Sequence, residues 1–229
     1  NRYEWCLTYL ATVNGTGVIV PLDKELPQED LEYTLKKSNA SAIVFSDKYS
    51  DAMKKISDAN TNIKYFINMD DSDKSDGVKF ISLSKLLEMG RTLISNNNRD
   101  FIDASIDNTK MSVLLFTSGT TGFAKGVMLS HKNICFTMMS VKKTVNVGCE
   151  DSSLSILPLH HTYECTLGFL CLIYSGGTIA FSESLRRLPN NLKEYKPTLM
   201  ITVPLLLENV YKKIWDRVAK KIGGRLLLR

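Results

Sequence analysis

No run of apolar residues in this sequence is long enough to cross a bilayer. The two longest, Leu167 to Tyr174 and Leu199 to Leu207, fall well short of the roughly 18 residues that a spanning helix needs. The chain does not open with the basic, hydrophobic, small-residue pattern of a secretory leader, so a cytoplasmic protein is expected. Charge of one sign is scarce as well: 29 Lys and Arg against 24 Asp and Glu give +5 over 229 residues. A nucleic-acid footprint is much denser than this, and no nucleic-acid partner is expected. Basic residues gather only toward the end, at Arg217, Lys220, Lys221, Arg225 and Arg229. That patch leaves peripheral contact with an anionic membrane surface open. There are only three histidines, and the five cysteines are odd in number and contain no C-x-x-C pair, which argues against both a disulfide framework and a zinc site of the usual spacing. Reduced, mostly buried thiols are the expectation.

What the sequence does have is ordinary globular material. Apolar residues make up 44% and charged residues 23%, enough for a sizeable core and far from the composition of a disordered chain. The length suits one large domain or two small ones; oligomeric state is not legible. Apolar residues begin almost at once at helical spacing, at Trp5, Tyr9, Leu10 and Val13, and the closing run Leu226 to Leu228 has no turn chemistry after it. The expectation is a piece of a larger protein, entered and left midway.

Short apolar runs alternate with helical patterns, the mark of an α/β fold of layered sheets with flanking helices. Val18 to Pro21 reads as a strand, a helix opens at Pro27 and runs to about Ser38, and Ala42 to Phe45 is the next strand. Asp47 then caps a helix to about Ala59, and Tyr65 to Met69 is a third strand. Residues 70 to 77 read as an exposed acidic loop and Ser84 to Ser95 as a helix. Beyond these, strands are predicted at Met111 to Phe116, Val127 to Leu129, Leu154 to Leu157, Thr178 to Phe181 and Leu199 to Val203. Helices are predicted from Ser130 to about Val145 and near Tyr163 to Ser175, Leu185 to Lys193 and Leu205 to Val218.

The most informative segment joins two of these strands. Residues 117 to 126 hold four hydroxyls, three glycines and one lysine. Glycines let backbone N–H groups approach an anion, hydroxyls donate hydrogen bonds or ligate a hard cation, and lysine adds a compact positive charge. The set suits a triphosphate. It is not a Walker A loop, because its spacing is G-x-x-G-x-x-K and a strand follows it rather than a helix. Composition alone fits a ligand-free Ser/Thr/Gly hairpin equally well. A second segment, Leu157-Pro158-Leu159-His160-His161-Thr162-Tyr163-Glu164, reads as a strand end followed by a helix start. Neighbouring strand residues point to opposite faces, so His160 and His161 are not expected to share a metal. Taken alone, each is more simply a hydrogen-bonded histidine.

The run FTSGTTGFAKGVMLSH, from Phe116 to His131, resembles the signature loop of the adenylate-forming superfamily, which includes acyl-CoA synthetases, luciferases and peptide-synthetase adenylation domains. Leu157 to Glu164 is similar to that family's second core motif. The flanks, residues 1 to 38 and Leu167 through Gly176-Gly177-Thr178 to Lys213, resemble long-chain fatty acyl-CoA synthetases. One departure is Ala124, where family members usually carry Pro; the pre-set φ of proline is lost, but no phosphate-binding group is.

The resemblance implies that residues 1–229 are part of the large N-terminal, AMP-binding domain of an adenylate-forming enzyme. Residues 1–108 and 109–229 would be its subregions, and the C-terminal lid domain would lie elsewhere. It implies an AMP-forming acid–thiol ligase that uses ATP, Mg²⁺ and coenzyme A to activate a fatty acid. Thr117, Ser118, Gly119, Thr120, Thr121, Gly122 and Lys125 would hold the ATP phosphates, with Lys125 offsetting charge on departing pyrophosphate and Thr117 contacting Mg²⁺. His161 and Tyr163 would line the acyl and adenylate pocket, His161 and Lys125 serving catalysis. The family's acidic Mg²⁺ ligand, its ribose-binding Asp and its C-terminal catalytic lysine have no counterpart among these residues. Three alternatives remain: a non-catalytic nucleotide- or acyl-binding module of the same fold, an adenylating enzyme for another carboxylate, and a phosphotransferase releasing ADP rather than AMP.

Overall fold

A computed structural model describes residues 1–59, 62–70, 79–117 and 124–219. The chain divides into two compact units, residues 2–140 and residue 1 with 141–229.

In the first unit, α1 (Tyr3–Ala11) runs into a π-turn at Thr12–Thr16, followed by α2 (Gln28–Ser38), β1 (Ala42–Phe45) and α3 (Ser50–Asp58). Next come β2 (Tyr65–Asn68), β3 (Phe80–Ser82), α4 (Leu83–Ser95), the hairpin strands β4 (Met111–Thr117) and β5 (Lys125–Ser130), and the start of α5 (His131–Thr144). Strands β1, β2 and β3 form one parallel sheet in that order. On β1 the buried residues alternate, Ile43 and Phe45 facing inward, as the period of two requires when one face meets the core. They pack with Leu35 of α2, Met53 and Ile56 of α3, and Phe66 of β2. Phe66 stacks on Phe80 with ring centroids 4.8 Å apart, which ties β3 to the same core.

Helix ends follow local chemistry. In α2, Glu29 and Asp30 stand in the first turn and Lys36 and Lys37 in the last, each complementing the helix dipole. It closes with Asn39 in the left-handed region, φ 52°, where the N–H groups of Asn39 and Ala40 donate to Lys36 and Leu35 carbonyls. At the start of α5 the expected cap forms: Ser130 Oγ accepts from Asn133 N at 3.3 Å, and Asn133 Oδ1 accepts from Ser130 N at 3.0 Å.

In the second unit, β6 (Ser152–Ser155) leads through a turn to a π-helical segment at Glu164–Leu170 that continues as α6 (Cys171–Ser175). The chain returns as β7 (Thr178–Phe181), parallel to β6, and goes on to α7 (Leu188–Tyr195) and α8 (Pro204–Ala219). Between α6 and β7, Gly176 takes φ 78° and Gly177 N donates to Leu172 O at 2.9 Å, a Schellman ending. The core here includes Leu154, Phe169 and Leu172, each at most 1% exposed.

Two predicted strands shrink to single bridges. Ile19 pairs with Val113, exchanging hydrogen bonds with Ser112 and Leu114, but Pro21 has no N–H to extend the ladder. Leu199 pairs with Ser153; Pro197 and Pro204 flank the stretch and restrict the residues before them. Strand β3 carried no signal, being three residues long. The strand expected at Leu154 to Leu157 lies at Ser152–Ser155, because its serines read as loop. Predicted residues 71–77 of the acidic loop lie outside the described residues; Asp70 at its start is held by Arg2 at 2.9 Å. None of the five cysteines is in a disulfide; Cys6, Cys165 and Cys171 are buried, Cys135 and Cys149 exposed.

Candidate functional site

The β4–β5 hairpin forms because two apolar strands flank a segment of turn residues. Its register runs from Met111 opposite Ser130 to Thr117 opposite Lys125. Thr117 and Lys125 are therefore the last pair of the ladder, at the mouth of the connecting loop, and both are exposed. Of the predicted phosphate-binding residues, Ser118, Gly119, Thr120, Thr121 and Gly122 lie outside the described residues. The antiparallel pairing confirms that a strand, not a helix, follows the loop. Gly126 opposes Phe116, and a Cβ there would come 3.1 Å from the Leu114 side chain. His131, which closes the quoted run, is structural in this setting: its Nε2 lies 2.9 Å from the Val13 carbonyl, to which it donates.

The second candidate segment belongs to the other unit. β6 ends at Ser155, so His160 and His161 stand in a turn rather than on a strand. This corrects the expectation that they face opposite ways: their ring centroids are 4.1 Å apart, tilted by 48°. His161 is exposed and His160 half-buried. His161 N donates to Pro158 O at 3.1 Å, and Cys165 N donates to His161 O at 3.0 Å. Tyr163 is 49% exposed, Phe169 is buried and Leu167 half-buried. Among the described residues no group of three or more His, Cys, Asp or Glu could hold a metal ion. A cation at the mouth of the β4–β5 loop would therefore rely on single oxygen donors such as the Thr117 hydroxyl, together with phosphates and water, which is how Mg²⁺ is commonly held beside a nucleotide.

Residues 1–224 match the family described as AMP-binding enzyme. The chain belongs to the AMP-binding enzyme family. Within it, the chain is 31% identical over 243 aligned residues to long-chain-fatty-acid–CoA ligase 5 of Rattus norvegicus, covering 99% of this chain and 34% of that protein. Among solved structures it is similar to a long-chain-fatty-acid-CoA ligase (FadD1) from Archaeoglobus fulgidus, with TM-score 0.73, 21% identity, and 95% of this chain and 41% of that chain covered. It is also similar to ATP-bound MatB from Rhodopseudomonas palustris, with TM-score 0.67, 19% identity, and 96% and 39% covered. The fold is thus shared with solved structures that include a long-chain-fatty-acid-CoA ligase, and the chain spans about a third of the length of the curated relatives it matches.

Sequence reasoning passed over one residue of this AMP-binding segment. Glu164, at the end of the second motif, is 1% exposed. It accepts from Ser155 Oγ at 2.5 Å, and burial pushes its carboxyl up to about 7 against that hydrogen bond. The signal was available: Glu164 is a lone acid at the head of an uncharged stretch, residues 165 to 175, with a glycine four positions on.

Proposed function

We propose that this chain forms part of a long-chain fatty acid:CoA ligase, contributing the triphosphate loop and part of the acyl pocket. The observation that carries the reading is the Thr117–Lys125 pair: it brings a hydroxyl and an ammonium to the two ends of the Ser/Thr/Gly loop, in a chain that resembles such ligases along its length. The reaction has two halves. A carboxylate oxygen attacks the α-phosphorus of ATP, the bond to the bridging oxygen breaks, and pyrophosphate leaves with its electron pair; the thiol of coenzyme A then displaces AMP from the acyl carbon.

The first half is limited by repulsion between an anionic nucleophile and a polyanionic triphosphate, so placed positive charge and N–H donors are the main catalytic resource. In this account Ser118, Gly119, Thr120, Thr121 and Gly122 hold phosphate oxygens, and Lys125 offsets charge on the departing pyrophosphate. Thr117 supplies one oxygen toward Mg²⁺, which when bound neutralises phosphate charge. His161 stands near the reacting carboxylate or α-phosphate, and Tyr163 lines the acyl pocket. A cytoplasmic location fits five cysteines outside any disulfide; no helix among the described residues is long and apolar enough to cross a membrane.

The test is fatty-acid-dependent ATP–pyrophosphate exchange by the complete protein, without coenzyme A, across short, medium and long acids. Exchange that requires a carboxylate supports adenylation, and a maximum with long acids supports the substrate class. Protein that binds Mg-ATP yet exchanges with no acid would be a binding module, and ADP release would indicate phosphoryl transfer.

A further inference from the structure

The turn that carries His160 and His161 is closed at its base by a buried acid. Ser155, the last residue of β6, donates to Glu164 Oε1, and Glu164 opens the π-helical segment, so residues 156 to 163 are tied at both ends. The Asn1 side chain adds to the clamp. Its Nδ2 donates to Ser155 Oγ at 2.8 Å and to Leu157 O at 2.6 Å, while Leu159 N donates to its Oδ1 at 3.2 Å. Glu164 Oε2 is buried without a hydrogen-bond partner among the described residues, and the space around the carboxyl exists because residue 168 is glycine. An apolar side chain of the same volume would fill that space without the desolvation cost of a carboxyl. Packing alone therefore does not account for an acid at this position.

We propose that Glu164 is a positioning residue, holding the His161 turn through its hydrogen bond with Ser155 and so setting where the His161 ring stands. The consequence for adenylation rests on the role given to His161 above; the positioning concerns the turn itself. A neutral carboxyl suits this task, since Oε1 only has to accept and no second donor is needed to hold a charge.

The three histidines make a direct test. His131 lies in the other unit, on the Val13 carbonyl, and serves as an internal control. In ¹³C–¹H spectra of the chain at one mildly acidic pH, Glu164→Gln, which keeps the Oε1 acceptor, leaves all three imidazole signals in place. Glu164→Met removes the acceptor and Ser155→Ala the donor; each displaces the His160 and His161 signals together and leaves that of His131. If His131 also moves in Glu164→Met, that variant has unfolded and Ser155→Ala decides. Unmoved His160 and His161 signals in the variants that remain folded overturn the proposal, as does a Gln variant displaced as far as Met. In exchange by the complete protein, Met and Ala lower the maximal rate about tenfold or more, a small misplacement of a catalytic group being enough for this. KM for ATP is unchanged, and Gln restores the rate. Wild-type protein without exchange would sink the functional reading and leave the spectra to judge the positioning. Displaced signals with an unchanged rate would sink the catalytic consequence.

Discussion

Gly168 leaves the room that the Glu164 carboxyl occupies: a Cβ on Gly168 would stand 2.7 Å from both Cδ and Oε1 of Glu164. Gly90, in the middle of α4, has nothing within 4 Å of the same position. Glycine is replaced by alanine inside a helical segment in both cases, yet the expected signs are opposite. Gly90→Ala raises stability by roughly 0.5–1 kcal/mol, the usual difference in helix propensity. Gly168→Ala lowers it by about 1–3 kcal/mol, because the carboxyl is 1% exposed and shifting it disturbs the hydrogen bond from Ser155. Urea unfolding of the two variants beside the parent chain measures both.

Glu164 also gives stability a definite dependence on pH. Its carboxyl is pushed up from 4.5 to about 7 by burial, so the folded chain holds the proton more tightly than the unfolded one. The stability this contributes is fully present below about pH 4.5 and is lost as pH rises through about 7. The shift corresponds to roughly 3 kcal/mol. In Glu164→Gln, which cannot ionise, the loss is absent, so the stability of the parent relative to Gln falls by that amount between mildly acidic and mildly alkaline pH. Parallel denaturant titrations at both ends of the range check this, and a constant difference would contradict it.

These two residues mark where the sequence was legible and where it was not. Strands with strong apolar character and clear punctuation, such as Ala42–Phe45 and Thr178–Phe181, were readable because pattern, length and flanking turns agree. So were α2 and α5, whose caps are local. Val18 to Pro21 and Leu199 to Val203 carry a strand pattern yet pair only at Ile19 and Leu199, because ladder length depends on what a neighbouring strand offers, which no window of sequence contains. The same limit hid the site. The Ser/Thr/Gly loop announces itself by composition, but the Thr117–Lys125 pairing depends on register, and the Ser155–Glu164 bond joins residues across a turn whose path the sequence does not state. A buried acid in an apolar run was visible; its partner was not.

At the start of the other unit, Arg2 holds two carboxylates. Its guanidinium meets Glu4 through two hydrogen bonds, at 2.6 and 2.7 Å, and Asp70 at 2.9 Å. Hydrogen bonding from Arg2 lowers the Glu4 carboxyl, and the Asp47 N–H, helped by Arg2, lowers that of Asp70. Their contribution is present above the ordinary carboxylate range and is lost as pH falls through the lowered values. Arg2→Met therefore moves acid unfolding of this unit to higher pH. At neutral pH it costs no more than about 1 kcal/mol, since the cluster is partly exposed. Fluorescence of Trp5, which stacks on Tyr9 in α1, follows the transition in a Trp215→Phe background.

The Thr117–Lys125 pair separates two kinds of electrostatic contribution at one loop. If Lys125 acts on charge that develops as pyrophosphate departs, Lys125→Met lowers the maximal exchange rate by about 10²–10³-fold, the scale of losing one preorganised charge-stabilising donor. On that assignment KM for the fatty acid stays where it was, because Lys125 meets the leaving pyrophosphate and not the acid. If Thr117 acts through a hard cation, Thr117→Val raises the Mg²⁺ concentration needed for half-maximal exchange, and Thr117→Ser, which keeps the oxygen, does not. The two residues are register partners, so damage to the hairpin would move both parameters in both variants. Opposite patterns, rate alone for Lys125→Met and metal requirement for Thr117→Val, are what separate roles predict. Steady-state exchange measured as a function of Mg²⁺ at saturating ATP distinguishes them, and identical behaviour of the two variants would reduce the pair to a structural closure of the loop.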